Sequence, residues 1–307
     1  MSPRRRPLPL SLIKAMRPKQ WIKNLLLFAG FVFTLNERWR PFTPEMWEYL
    51  SRSLAAFGLF SLISSSVYLL NDVLDVEKDR AHPTKKNRPI ASGDLPPGVA
   101  IAVALVLMPA CLVAGYILSP AFAAVAASYL IMQFAYIFVL KNIVLLDVFV
   151  IALGFVMRAV SGAVVIGAVI SPWLYTVTLL GALFLGLCKR RNELVLLESG
   201  AGTHRQILKM YTPALLDSLT SIVASSTIMA YSLYTFTSYT AAKPPGGTSP
   251  MMLTIPFVIF GLFRYLFLAH SQNAGGSPEE VFLKDRPLII TILLWILTTA
   301  VILGTRH

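Results

Sequence analysis

Charged residues and cysteine are scarce in this sequence. Only 14% of its 307 residues are Asp, Glu, Lys or Arg, whereas 56% are hydrophobic and the mean hydropathy is +0.67. Soluble domains carry about 25% charged residues, so the composition excludes a soluble protein and predicts an integral membrane protein. The two cysteines, Cys111 and Cys188, lie singly in apolar stretches, which argues against a disulfide framework and a cysteine zinc site.

Long polar stretches are also missing. Apolar segments of about 15 to 25 residues recur from end to end, each long enough to cross a hydrocarbon core of roughly 30 Å. We therefore predict one all-α membrane domain over residues 1–307, a polytopic bundle of about nine transmembrane helices. Its basic N-terminal segment, 1–20, lacks the apolar core of a cleaved signal peptide. The first span is short and the seventh is polar, so either also fits a tilted or re-entrant element. The predicted spans are 22–36, 53–72, 99–118, 121–140, 143–167, 172–188, 213–240, 251–270 and 287–304.

Acidic residues are outnumbered by basic residues, 15 to 27, which gives a formal net charge of +12. When the N-terminus is placed in the cytoplasm, 21 of the 27 Lys and Arg residues fall on the cytoplasmic side, as the positive-inside rule requires. The sequence therefore predicts an inner (plasma) membrane protein whose N-terminus and active site face the cytoplasm. Such a basic face suits anionic membrane lipids and phosphorylated substrates, and no pattern indicates a nucleic-acid partner. Assembly into a homo-oligomer stays open.

The few acidic residues are concentrated at the end of the second span, in "NDVLDVEKD". Asn71, Asp72, Asp75 and Asp79 share one helical face, whereas Glu77 points elsewhere. Like charges on one face of a membrane helix are costly unless a cation compensates them. Oxygen ligands without nearby His or Cys favour a hard cation such as Mg²⁺, which binds carboxylates together with substrate phosphates. The pattern predicts a Mg²⁺-diphosphate site, with a solvated helix end as the alternative.

A basic loop follows the acidic cluster at once. Lys85, Lys86 and Arg88 lie within ten residues of Asp79. Lysine offers phosphate a point charge, and arginine can hold two phosphate oxygens together. The loop is therefore predicted to bind phosphate. The alternative, a positive-inside topology signal, has most weight for Lys86.

The fifth span contains two ionisable residues. Asp147 and Arg158 are about three helical turns apart, so they lie on one stripe with Gly154 but too far apart to pair. Each must face the interior of the bundle, either in a polar chamber or, for Arg158, as a structural anchor. Tyr136 and Lys141, at the inner end of the fourth span, fit the same chamber or an ordinary interfacial belt.

A second basic cluster ends the sixth span in "CKRRNE". Lys189, Arg190 and Arg191 are followed one turn later by Glu193. By itself this cluster is typical of the charged end of a membrane helix. In the same cytoplasmic layer as the acidic cluster, it is also a candidate phosphate site.

The segment "NDVLDVEKD" resembles the NDxxDxxxD motif of the UbiA-type intramembrane prenyltransferase superfamily, and the resemblance covers most of the chain. It implies a nine-helix bundle with a central cavity that opens to the cytoplasmic face and to the bilayer. It also implies that the acidic motif holds a diphosphate through Mg²⁺. The departure lies after the sixth span, where ordinary members carry a second acidic motif, DxxxD, and this chain has "KRRNE".

Because of this departure, the chain resembles the superfamily's phosphoribosyltransferase branch, which acts on decaprenyl phosphate. Three further segments carry the same resemblance: "RPKQWIKN", "DRAHPTKKNRPIASG" and "LKNIVLLDVFVIALGFVMRAVSGA". The resemblance implies transfer of 5-phosphoribosyl from phosphoribosyl diphosphate (PRPP) to a polyprenyl phosphate, with release of diphosphate. The product is a precursor of lipid-linked arabinose donors for cell wall arabinan. Three anionic groups in one chamber need more cations than a prenyl diphosphate does. Two alternatives are a prenyltransferase with an aromatic or haem acceptor and a transporter of a lipid-linked anion.

The resemblance and the charge pattern together give each candidate residue an expected role. No histidine is expected to act as a base, and His82 and His204 are left without a role. The expected metal ligands are Asn71, Asp72, Asp75 and Asp79. The residues expected to act in catalysis are Asp72, Asp75, Asp79, Lys189 and Arg190. Those expected to bind the substrates are Lys19, Lys23, Asn71, Lys85, Arg88, Tyr136, Lys141, Asp147, Arg158 and Glu193, with Asp285 and Arg286 as weaker candidates.

Overall fold

The structure, a computed structural model, describes residues 7–82, 85–198, 206–237, 249–271 and 278–305. These ranges are almost entirely helical and contain no strand beyond an isolated bridge between Leu35 and Trp39. The all-α prediction is therefore confirmed. The α-helices are α1 Leu8–Ala15, α2 Ala29–Phe33, α3 Pro44–Leu74, α4 Val76–Arg80, α5 Pro97–Leu118, α6 Pro120–Phe138, α7 Leu146–Val165, α8 Pro172–Glu198, α9 Pro213–Thr237, α10 Ile255–Ser271, α11 Pro278–Lys284 and α12 Arg286–Gly304.

Proline and capping side chains set where the long helices begin. Proline suits the first helical position because its fixed φ matches the helix and its missing N–H has no partner to lose there. Several of the long helices also have a side-chain cap; for example, Ser119 Oγ accepts from the Phe122 amide at 3.3 Å. The helices that open on proline are α3, α5, α6, α8, α9 and α11.

Eight helices in the described ranges are long and apolar enough to cross a membrane. Their positions match the second to ninth predicted spans, and the polar seventh is a regular helix as far as Thr237. Residues 238–240 of that span lie outside the described residues. The first predicted span, 22–36, is different: it is a 3₁₀ helix, Pro18–Phe28, followed by the five-residue α2.

This first segment packs backbone to backbone against α7. A Cβ added to Gly162 would lie 1.8 Å from the carbonyl oxygen of Leu27, and one added to Gly30 would lie 2.9 Å from Ala163 Cα. Contacts this close are open only to glycine. The two glycines therefore allow the irregular segment to sit in the bundle.

Polar hydrogen bonds fix the same segment to α3. Trp21 Nε1 donates to Ser65 Oγ at 3.0 Å, and Ser65 Oγ donates to the Met16 carbonyl at 2.8 Å. Asn24 Nδ2 donates to Ser61 Oγ at 2.9 Å. Because a buried polar group is costly without a partner, these bonds determine how the segment lies on α3. They also bring Arg17 to the end of α3 that carries the acidic residues.

Candidate active site

The acidic motif lies where α3 gives way to α4. Asp75 lies between the two helices with φ −96° and ψ 9°, and its amide still donates to the Asn71 carbonyl at 3.0 Å. Asp72 and Asp79 are 2% and 4% exposed. Two carboxylates this deeply buried must be paired with positive groups or metal ions.

Arg88 supplies one of these positive groups. Its Nη1 donates to Asp72 Oδ1 at 3.1 Å and to Asp79 Oδ2 at 2.6 Å. The turn that follows the short 3₁₀ helix Lys85–Asn87 delivers the side chain, and the Arg88 amide donates to the Lys85 carbonyl at 2.9 Å. The basic loop and the acidic motif therefore form one cluster, as the sequence predicts, with a single nitrogen between two carboxylates.

Arg17 is the second cation on Asp72, and the sequence did not single it out. Its Nη2 donates to Asp72 Oδ1, the same oxygen that Arg88 contacts, and its guanidinium lies 4.9 Å from the centre of the Tyr68 ring. Arg17 adopts left-handed backbone angles, φ 54° and ψ 61°, just before Pro18. A non-glycine residue in this region is uncommon, and functional sites are where such conformations concentrate. The sequence "RPKQ" offered no charge pattern that would have revealed the contact.

The third carboxylate of the motif turns to another partner. Asp75 Oδ1 lies 3.8 Å from Lys141 Nζ, and both side chains are about one quarter exposed. Asp75 thus separates from the Asp72 and Asp79 pair that the helical wheel groups it with. The two other candidates on these helices, Asn71 on α3 and Tyr136 on α6, are half-buried.

A second buried cluster joins α7, α8 and the segment just before α9. Asp147 is fully buried and Arg190 is 1% exposed, and Arg190 Nε lies 2.9 Å from Asp147 Oδ2. Arg190 also contacts Glu193, and Tyr211 Oη donates to Asp147 Oδ1 at 2.8 Å. Burial raises the pKa of the Tyr211 phenol to about 12, so it remains a neutral donor at physiological pH. Because two carboxylates surround the Arg190 guanidinium, it is a structural cation rather than a free anion site.

The short connection between α6 and α7 links the two clusters. It carries Lys141, which faces Asp75, and it leads into the first turn of α7, where Asp147 faces Arg190. Six residues span at most roughly 20 Å. The two clusters therefore lie at the same end of the bundle, within reach of one large anionic substrate.

Replacing Asp147 by asparagine is expected to lower the free energy of unfolding by about 3 to 5 kcal/mol, because the buried Arg190 then loses its carboxylate partner on α7. The thermal unfolding midpoint of the purified variant in detergent checks this. Asp217→Asn is the matched control: Asp217 pairs with Arg191 but is 39% exposed, so its loss should cost about 1 kcal/mol or less. Equal losses of stability in the two variants would contradict the conclusion that Asp147 forms a buried, stabilising ion pair with Arg190.

Arg158 is enclosed by polar and aromatic partners inside the bundle. It donates to Asn24 Oδ1 at 2.7 Å, to the Gly154 carbonyl at 2.6 Å and to Tyr129 Oη at 3.1 Å. The rings of Phe60, Tyr129 and Phe155 lie 5.1 to 5.6 Å from its guanidinium. Of the two sequence interpretations, this geometry favours a structural anchor that ties the first segment to α7.

The remaining candidates differ in their exposure. Lys85, Lys189 and Lys23 are half-buried, whereas Lys19 and Lys86 are exposed. Burial and the nearby Lys85 lower the pKa of His82, so it adds little positive charge at neutral pH. His204 lies outside the described residues.

Further along the chain, acidic residues already hold several cations. Arg191 contacts Asp217, which also lies 3.1 Å from His270 Nε2. Asp285 accepts from Arg264 Nη2 at 2.8 Å and caps α12, whereas Arg286 is exposed. Neither Asp217 nor His270 was among the sequence candidates.

The carboxylates of the acidic motif are chemically suitable ligands for a divalent cation. In the described part of the chain, no group of three acidic, histidine or cysteine side chains is placed to hold a metal ion. Two carboxylates, Asp72 and Asp79, nevertheless converge on one positively charged atom, Arg88 Nη1. Carboxylate oxygens are the ligands that Mg²⁺ prefers, and it usually completes its shell with water and substrate phosphates.

Fold and site together define a polytopic helical membrane protein with a buried carboxylate and arginine cluster at one end of its helices. The chain belongs to the UbiA prenyltransferase family, whose profile it matches over residues 25–283. It is 36% identical over 286 residues to the decaprenyl-phosphate phosphoribosyltransferase of Mycobacterium tuberculosis, covering 93% of this chain and 92% of that protein. The protein of the same name from Mycolicibacterium smegmatis is 37% identical over 290 residues, with 93% and 90% covered.

Solved structures of the family share the fold. A UbiA homolog from Archaeoglobus fulgidus bound to DMAPP and Mg²⁺ superposes with a TM-score of 0.69 and 16% identity, covering 96% of this chain and 99% of that one. The homolog bound to GPP and Mg²⁺ gives a TM-score of 0.68 with 17% identity, covering 96% and 100%. The predicted UbiA-type fold is thereby confirmed.

Proposed function

We propose that this protein transfers 5-phosphoribosyl from PRPP to a polyprenyl phosphate, decaprenyl phosphate in particular, and releases diphosphate. Identity of 34 to 37% to proteins named decaprenyl-phosphate phosphoribosyltransferase, over 93% of the chain, is the observation that carries this proposal. The product would enter the synthesis of lipid-linked arabinose donors for cell wall arabinan. The protein would work in the inner membrane, with its N-terminus and active site on the cytoplasmic side.

The charge distribution supports a ribosyl donor over a prenyl donor. A ribosyl transfer gathers a diphosphate, a ribose 5-phosphate and a lipid phosphate, whereas a prenyl diphosphate brings one anionic group. Lys189 fits this requirement, because it supplies positive charge within α8, in the segment where the resemblance implies that ordinary members carry a carboxylate. Arg190 and Arg191 are neutralised by Asp147 and Asp217, so they help mainly by holding α8 in place.

The proposed reaction needs no general base. An oxygen of the lipid phosphate forms a bond to ribose C1, while the bond from C1 to the diphosphate oxygen breaks and the diphosphate leaves with the electron pair. The nucleophile is already ionised at neutral pH, so no proton has to be removed. The protein's task is to align two anions and to stabilise the charge that develops on the leaving group.

Each group of candidate residues has a separate proposed role. Asp72 and Asp79 would hold Mg²⁺, with Asp75 and Asn71 as the further ligands that the motif implies, and the ion would supply positive charge to the departing diphosphate. Arg88 contacts both aspartates, and Arg88 and Lys85 are assigned to the diphosphate oxygens. Lys141, which faces Asp75, is assigned to the two monophosphates together with Lys189, Lys19 and Lys23.

Purified protein with Mg²⁺ and polyprenyl phosphate tests the donor directly. With PRPP we expect diphosphate release and a lipid product that carries ribose phosphate; with a prenyl diphosphate and an aromatic acceptor we expect neither. Equal rates with the two donors would contradict the proposal and favour a prenyltransferase. Movement of the lipid across a vesicle membrane without diphosphate release would favour a transporter.

A further inference from the structure

The pairing of Arg17 and Arg88 with the buried carboxylates has a consequence for metal binding. We infer that these two arginines compete with the divalent cation for Asp72 and Asp79, so the cation binds well only together with a polyphosphate substrate that takes the arginines over. The inference rests on the proposed function, because it treats the acidic motif as the place where diphosphate and metal meet. It adds an arginine that the sequence did not assign and a coupling between the two ligands.

The first support is the position of the arginine nitrogens. Arg88 Nη1 lies 3.1 Å from Asp72 Oδ1 and 2.6 Å from Asp79 Oδ2, and Arg17 Nη2 shares the Asp72 oxygen. Because Arg88 Nη1 already lies between the two carboxylates, they could hold a divalent cation together only after Arg88 had moved away. Metal and arginine therefore exclude each other at this point.

The second support is charge. The described ion pairs of the motif join three carboxylates, Asp72, Asp75 and Asp79, to three cations, Arg17, Arg88 and Lys141, so their formal charges cancel. A dication added alone to this balanced and largely buried group would be repelled by the cations. A dication that arrives with a diphosphate adds no positive charge, and the diphosphate oxygens give the displaced guanidinium groups new acceptors.

The third support is that both arginines have room to move. Their side chains are 26% and 27% exposed, in contrast to the 2% of Asp72 between them. They also reach the motif from opposite directions in sequence, one from the segment before the first 3₁₀ helix and one from the loop after α4. Each arginine can therefore leave Asp72 without moving α3.

The test measures binding of Mn²⁺, a spectroscopic substitute for Mg²⁺ at carboxylate sites, by electron paramagnetic resonance on the purified full chain. Wild-type protein should bind Mn²⁺ weakly alone and at least about tenfold more tightly with inorganic diphosphate. Arg17→Gln and Arg88→Gln should each bind Mn²⁺ alone about tenfold more tightly than wild type, because each removes one competing charge close to the site. Diphosphate should then improve Mn²⁺ binding less than in wild type.

Two controls separate competition from a general change of charge. Lys14→Gln removes an exposed cation whose described contact is the Asn87 carbonyl, and it should leave Mn²⁺ affinity within about twofold of wild type. Arg17→Lys keeps the charge and should remain close to wild type. If one arginine variant does not give folded protein, the other makes the same prediction.

The outcomes distinguish this inference from the proposed function. Unchanged affinity for Mn²⁺ alone in the folded glutamine variants would overturn the competition, whatever the substrate is. Tighter Mn²⁺ binding in the variants, with no effect of diphosphate on wild type, would support the competition and contradict diphosphate as the ligand of the motif.

Discussion

Replacing Asp72 and Asp79 together by asparagine should reduce diphosphate release from PRPP by at least about 10³-fold. Removing one preorganised electrostatic contact to a transition state costs about 10² to 10³ in rate, and this variant removes two carboxylates from the proposed metal site. Folding should survive, because the arginines left behind are about one quarter exposed and can be hydrated. Initial rates with PRPP, polyprenyl phosphate and Mg²⁺ measure the effect.

Glu77→Gln is the control for this variant. Glu77 lies between the two aspartates in sequence, but its side chain is 80% exposed and pairs with Arg80 one turn away. An exposed pair of this kind contributes little, so the rate should stay within about twofold of wild type. Full activity of the double asparagine variant would show that the motif holds no essential metal.

Gly162→Ala should prevent normal folding, with a loss of at least about 3 kcal/mol. Overpacking a core usually costs about 1 to 3 kcal/mol, and the cost is smallest where a flexible side chain can move away. Here the added methyl group would lie 1.8 Å from the carbonyl oxygen of Leu27, which is backbone and belongs to a segment fixed by Asn24 and Trp21. The yield of monodisperse protein and its thermal unfolding midpoint in detergent measure the effect.

The same change in α3 provides the comparison. A Cβ added to Gly58 meets nothing within 4 Å, so Gly58→Ala should be neutral or slightly stabilising, as alanine usually is in a helix. If Gly162→Ala and Gly58→Ala gave equal unfolding midpoints, the close packing of the first segment on α7 would be contradicted. The prediction does not depend on the reaction that the protein performs.

The sequence predicted the spans well because a membrane helix must satisfy its backbone within itself and must be apolar over a fixed length. Residues 22–36 are different because their conformation depends on packing against Gly162 and on hydrogen bonds to serines of α3. Hydropathy reports neither. A short apolar run that follows Trp21 and contains the polar residue Asn24 gives no local sign that it is a 3₁₀ helix.

In the candidate site, too, contacts between residues close in sequence could be predicted, whereas contacts between distant residues could not. Residues 71–88 are close in sequence, so the contact of Arg88 with Asp79 follows from local spacing and charge. Arg17 is 55 residues from Asp72 and Tyr211 is 64 residues from Asp147, and these partners required the chain to fold. The helical wheel also grouped Asp75 with Asp72, whereas the break at the end of α3 turns it to Lys141.

The sequence by itself thus determined the membrane location, the helical class and the acidic and basic segments, because composition, periodicity and local charge are properties of neighbouring residues. Only the tertiary structure decided which cation faces which carboxylate. Arg190 and Arg158 are buried and act as structural anchors, through Asp147 and Asn24 respectively. Arg17 and Arg88 instead contact the acidic motif. The physical reason is that burying a charge is costly, so each buried charge takes the partner that packing brings within reach, however distant in sequence.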